Sequence, residues 1–213
     1  VGPAWSSVIV VGGRLFTQEQ RGEEEAVVCY DAATGDELWI HSDPARFSEQ
    51  VAGAGPRATP TFDRGRIFTL GGTGIVNCLD AATGKHLWSH HLATERGSPQ
   101  PRWGFSSSPL AAGSRAIVFA GGKQNPSLVA YDAESGKSAW SHEAGPGSYS
   151  SPQLATIAGK EQLLMLSDLG LYAIDPETGK ELWRYEIAAE GAPMSRRELD
   201  AMKEGLEFEF GEW

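Results

Sequence analysis

The chain has 213 residues, 40% of them hydrophobic, and a formal net charge of −10, enough chain to bury a core in a single domain. Its longest apolar runs, AVV at 26–28 and LLML at 163–166, fall far short of the roughly 20 residues a bilayer-crossing helix needs, so no transmembrane segment is expected. No stretch concentrates Lys or Arg, and the acidic excess argues against nucleic acid as a partner.

Taken in chain order, four similar units appear. The first, about 1–42, begins with small residues at WSSV (5–8), passes the acidic RGEEEA (21–26), and runs through VVCYD into DAATGDELW at 31–39. RGEEEA reads as a solvated hairpin tip. The second, about 55–92, starts at RATP (57–60), continues through ATPTF and RIFTL, and ends in VNCLD and DAATGKHLW at 80–88. The third, about 103–143, runs from SSSP (106–109) through AIVFA and LVAYD to DAESGKSAW at 132–140, and the fourth, about 147–187, from YSSP (149–152) through LYAID to DPETGKELW at 175–183. Motif starts are 49, 52 and 43 residues apart, while Asp to Trp is always eight. A rigid motif on variable connections suits the blades of a β-propeller, with four strands each.

Each motif reads as a hairpin: a β-rich run enters a turn containing Gly and leaves through an apolar stretch ending in Trp. Asp31, Asp80, Asp132 and Asp175 can accept from backbone N–H groups across the turn, and Gly35, Gly84, Gly136 and Gly179 supply a positive φ. Because every unit repeats it, the motif is architecture and not a unique active site. Residues 188–213 form no fifth unit. Ser195 and Glu198 make a capping box that predicts a short C-terminal helix from about 196 to 204, stopped at Gly205, and LEFEFGEW after it alternates like an edge strand.

D-x-x-[TS]-G-x-x-x-W after a strand resembles the tryptophan-docking motif of PQQ-like β-propeller repeat proteins, over residues 1 to about 187. The resemblance implies an all-β propeller of four-stranded antiparallel blades, with Trp39, Trp88, Trp140 and Trp183 stapling neighbouring blades. Such propellers usually have seven or eight blades. Four repeats therefore mean a closed four-bladed ring, half of an eight-bladed ring completed by a homodimer, or part of a larger propeller. The opening at VGPAWSS lies essentially on an inner strand, with no preceding segment to supply an outer strand for closure. No charged n-region with an apolar h-region opens the chain, so any export leader was removed or never included. The resemblance alone implies a periplasmic or cell-envelope location.

Two functions follow from it. One is a non-catalytic scaffold that binds a protein segment or small ligand at a channel mouth or blade edge. The alternative is a PQQ- and calcium-dependent quinoprotein dehydrogenase, or a remnant of one, completed by a longer chain or second subunit. The vicinal cysteine pair of some quinoproteins is absent, and no catalytic, cofactor-binding or metal residue is assigned. Cys29 and Cys78 sit two residues before the motif Asp, where the other units carry Ala130 and Ala173; the position wants a small buried side chain. His41, His90 and His142 each lie two residues after the motif Trp, with Tyr185 in the fourth unit. In-register residues on successive blades diverge too far to share one metal. Trp5, Arg57, Trp103 and Tyr149 lie at or just before the inner-strand starts and are the candidates for binding at the channel mouth.

Overall fold

All four D-x-x-[TS]-G motifs close hairpins in the computed structural model of the protein, which describes residues 2–122 and 126–187. The first blade is β1 (Ile9–Val11), β2 (Arg14–Arg21), β3 (Glu24–Asp31) and β4 (Glu37–Asp43). A small hairpin, β5 (Ser48–Glu49) and β6 (Gly53–Ala54), occupies the connection to the second blade, β7 (Thr61–Asp63), β8 (Arg66–Leu70), β9 (Ile75–Asp80) and β10 (His86–His91). A one-turn helix, α1 (Leu92–Arg96), leads on to the third blade, β11 (Leu110–Ala112), β12 (Arg115–Phe119), β13 (Leu128–Asp132) and β14 (Ser138–His142). The fourth is β15 (Gln153–Ile157), β16 (Lys160–Leu166), β17 (Gly170–Ile174) and β18 (Glu181–Glu186). Each blade is an antiparallel meander, hydrogen-bonded in chain order. The expected helix at 196–204 and the strand-like LEFEFGEW lie outside the described residues.

The motif dictates the turn. In every copy the glycine N–H donates to the motif Asp carbonyl, at 2.8 or 2.9 Å. The Asp Oδ1 accepts from the backbone two or three residues on, as in Thr34 to Asp31 at 2.9 Å and Ser135 to Asp132 at 2.8 Å. All four glycines hold φ between 71° and 79°, left-handed backbone that costs other L-residues roughly 1–2 kcal/mol. A register shift follows in each outer strand and sets the motif Trp opposite the residue two before the Asp: Cys29 with Trp39, Cys78 with Trp88, Ala130 with Trp140, Ala173 with Trp183. The indole lies across that position, which is why it takes only a small side chain. Burial pushes the Cys78 thiol up to about 12 and raises that of Cys29 too, and both are free.

The core is a series of seams between blades. Phe16, Val27, Cys29 and Trp39 of the first blade pack on Ile67, Leu79 and Ala81 of the second. Alternation along β12 then splits its side chains between two seams. Ala116 and Val118 join the second blade, while Ile117 and Phe119 pack with Leu163, Met165 and Ile174 of the fourth.

Two expectations are corrected here. RGEEEA is not a solvated tip throughout, because Glu25 is only 4% exposed. Its carboxylate accepts from the Gly72 N–H at 2.9 Å and the Thr73 hydroxyl at 3.0 Å, tying the first blade to the second, and burial raises its pKa. Nor do four blades close into a ring of their own. Space above Gly35 in the first blade is open, and Trp183 of the fourth is 38% exposed, its indole donating to Gln162 of its own blade at 2.8 Å. The described residues form an open arc of four blades.

Candidate functional site

Where the inner strands of the third and fourth blades begin, the loops between strands part to leave a cleft of about 940 Å³. Its walls come from four stretches: Gly97–Ser107 ahead of β11, Phe119–Gly122 at the end of β12, Pro146–Ser150 ahead of β15, and Leu166–Asp168 between β16 and β17. Phe105 and Phe119 supply buried apolar surface, and Tyr149, 52% exposed, stands at the opening. Asp168 is the charged side chain among the described lining, and its Oδ1 accepts from the Gly147 N–H at 3.1 Å.

A ladder of hydroxyls fixes the inner wall. The Ser7 N–H donates to Thr59 Oγ1 at 3.2 Å, the Thr59 N–H to Ser108 Oγ at 2.9 Å, and the Ser108 N–H to Ser151 Oγ at 2.9 Å. This is a structural use of the small residues at the strand starts: in the second, third and fourth blades a short hydroxyl side chain reaches back to the backbone of the preceding blade. Ser106 and Ser107 on the cleft wall are outside the ladder. Their hydroxyl oxygens are buried and have no hydrogen-bond partner among the described residues, a state that leaves polar groups desolvated without compensation.

Of the four residues expected at the channel mouth, Tyr149 lines this cleft and the other three do not. Trp5 is 64% exposed, and its indole donates to the Ala52 carbonyl at 2.7 Å. The Arg57 guanidinium is buried under the β5–β6 connection, 3.2 Å from Glu49, 2.9 Å from the Gly53 carbonyl and 4.9 Å from the centre of the Phe47 ring. Trp103 is half-buried with the Arg102 guanidinium 4.8 Å over its ring. Sequence reasoning missed Ser106 and Ser107 because SSSP reads as one more small-residue strand start, and Asp168 because it lies outside the repeated motif. The only signal was the run of three serines in SSSP, of which the ladder uses Ser108 alone.

The in-register histidines each work across their own seam. His41 stacks on His86 at 5.7 Å, His90 on Tyr131 at 4.1 Å with a ring nitrogen 2.7 Å from the Gly136 carbonyl, and His142 lies 3.3 Å from Glu181. Among the described residues no three His, Cys, Asp or Glu side chains gather as a metal-ligand set. No helix among them is long and apolar enough to cross a membrane.

Four-stranded antiparallel sheets seamed by a recurring Trp and Gly define a PQQ-like β-propeller. The sequence profile described as outer membrane protein assembly factor BamB matches residues 6–201, most of the chain, and the protein belongs to this PQQ-like propeller family. No curated protein sequence matches it significantly. Solved structures with the same fold include the quinohemoprotein alcohol dehydrogenase of Comamonas testosteroni, with TM-score 0.63 and 19% identity over 87% of this chain and 35% of that one. BamB of Moraxella catarrhalis has TM-score 0.56 and 16% identity over 89% of this chain and 65% of its own. A europium-containing methanol dehydrogenase gives 0.58 and 14% over 86% and 41%. The chain thus spans about a third of the first dehydrogenase and under two thirds of that BamB.

Proposed function

We propose that the protein is a non-catalytic propeller scaffold of the cell envelope, and that the cleft at Tyr149 holds an extended segment of a protein partner. The observation that carries this reading is the pairing, in one cleft of about 940 Å³, of Ser106 and Ser107 hydroxyls that have no partner among the described residues with the exposed Tyr149 ring. An extended peptide offers amide groups to the hydroxyls and a side chain to the aromatic, the combination that anchors polypeptides on aromatic-lined surfaces. The envelope location rests on the family, whose profile is described as an outer membrane protein assembly factor.

The quinoprotein alternative fits these residues poorly. PQQ carries three carboxylates, and the described cleft lining holds no Arg, Lys or His to neutralise them, while Asp168 adds a negative charge. A calcium ion calls for six to eight oxygen ligands, usually with several carboxylates, and the lining offers one.

Selection from a displayed library of random extended peptides tests the scaffold reading. Peptides that bind the wild-type protein should lose about tenfold or more in affinity with Tyr149→Ala, as expected for an aromatic anchor worth about 1.4 kcal/mol or more, and should weaken with Ser107→Val. Selected peptides indifferent to both substitutions, or no enrichment at all, would count against the cleft.

A further inference from the structure

The cleft has a counterpart in the fold that the chain fills for itself. Two residues before the hydroxyl-ladder residues Ser7, Thr59, Ser108 and Ser151 stand Trp5, Arg57, Ser106 and Tyr149, so these four share one register at the inner rim. Between the first and second blades this register brings Trp5 and Arg57 onto one connection, 44–60. The indole donates to the Ala52 carbonyl at 2.7 Å, and the guanidinium meets Glu49 at 3.2 Å and the Gly53 carbonyl at 2.9 Å and lies over the Phe47 ring. The Arg57 side chain is 8% exposed. A guanidinium is held there by a carboxylate, a carbonyl and an aromatic ring, partners that suit its planar fork of donors.

Between the third and fourth blades the same positions hold Ser106 and Tyr149, and the connection 143–152 carries no strand. Serine in place of tryptophan leaves the rim open, and the space it leaves belongs to the cleft. The cleft wall repeats the acceptor half of the Arg57 site without a cation. Asp168 is fixed by two bonds to Gly147: its N–H donates to the Gly147 carbonyl at 2.9 Å, and its Oδ1 accepts from the Gly147 N–H at 3.1 Å. Its Oδ2 has no hydrogen-bond partner among the described residues. Tyr149, two residues after Gly147, stands exposed, and no Lys, Arg or His belongs to the described lining. Ser107 beside them is 2% exposed, and its hydroxyl has no partner among the described residues, which leaves a polar group already dehydrated for a ligand to satisfy.

We infer that the cleft selects an extended protein segment carrying an arginine, whose guanidinium pairs with Asp168 Oδ2 and lies over the Tyr149 ring, and that Ser106 permits this by keeping the rim open. This specificity rests on the cleft holding a peptide, as proposed, and adds the chemistry of the anchor. Arginine suits the site better than lysine because one planar fork meets the carboxylate and stacks on the ring at once, which a compact ammonium does not. The formal net charge of −10 draws a cationic segment in from solution.

The test is selection from a displayed library of random extended peptides, then affinities of the enriched peptides for wild type, Tyr149→Ala, Asp168→Asn, Ser106→Trp and Glu23→Gln. Thermal melts verify that each variant folds. Asparagine keeps an oxygen for the Gly147 N–H while removing the charge, and Glu23→Gln makes the same change in net charge at an exposed side chain of the first blade. Enriched peptides should share an arginine at one position. Replacing it by glutamine should cost about tenfold or more on wild type, the scale of a hydrogen-bonded charged pair, and under about threefold on Asp168→Asn. Glu23→Gln should leave the wild-type cost unchanged, and folded Ser106→Trp should not bind. Peptides that depend on Tyr149 but share no arginine, an arginine whose replacement costs as much on Asp168→Asn as on wild type, or full binding to Ser106→Trp would each overturn the inference and leave the peptide site standing. No enrichment, or peptides indifferent to Tyr149→Ala, would overturn the peptide site and the arginine anchor together.

Discussion

A carboxylate that accepts hydrogen bonds from its own turn stays ionised at lower pH than a free one. All four motif aspartates do this and are held below the ordinary 3.8. The leading cause is the Thr34 backbone N–H for Asp31, the Thr83 hydroxyl for Asp80, the Ser135 hydroxyl for Asp132 and the Thr178 backbone N–H for Asp175. A depressed folded-state pKa contributes stability that is present above the unfolded value and lost as pH falls through the folded one. The melting temperature should therefore drop as the solution is acidified below about pH 4. Glu25 acts in the opposite sense: burial raises its pKa, so its contribution declines as pH rises from the ordinary 4.5 through the raised value. Asp80→Asn, which keeps an acceptor oxygen and removes the titration, should show a shallower loss of melting temperature between about pH 4 and pH 2 than wild type. Identical slopes would remove the Asp80 turn from the acid response.

At the level of elements, the seams decide stability. Trp88 is 8% exposed, with Phe68 and Tyr131 rings each 5.9 Å away and the Gly136 turn beneath it. Replacing such a buried aromatic by Ala costs about 3–5 kcal/mol. For a chain of this size the expected loss is about 6–20 °C in melting temperature. Trp183 occupies the same place in its own motif but meets no following blade among the described residues. At dilutions where one chain is the species in solution, Trp183→Ala should change the melt by less than half as much as Trp88→Ala, and equal losses would show that the fourth motif is docked like the others. The strands, turns and seams were legible in the sequence because the repeat states them four times, and a spacing of eight from Asp to Trp leaves little freedom in the hairpin. The need for Cys29, Cys78, Ala130 and Ala173 was legible as smallness, but its cause, an indole across the ladder, appears only with the register shift. Arg57 misled for the opposite reason. An arginine beside an inner strand looks available to a ligand until the β5–β6 connection, which no other unit shares, brings Glu49 and Phe47 over it. Glu25 was misread likewise: a run of acids suggests solvent, and only the fold brings Gly72 and Thr73 to one of them.

At the scale of the whole molecule, the four described blades make an arc, and the loops of the third and fourth leave a cleft of about 940 Å³. A series of seams holding a cleft of hydroxyls and an aromatic is what the proposed scaffold uses, and its described lining carries Asp168 as its charged side chain. The most direct measurement is the melting temperature and dye-linked alcohol oxidation of the protein with and without saturating PQQ and Ca²⁺. A ligand that binds the folded state at a hundred times its Kd stabilises it by about 2.7 kcal/mol, which for a chain of this length is about 5–11 °C. The scaffold account predicts an unchanged melt and no dye reduction; a rise of several degrees accompanied by turnover would contradict it.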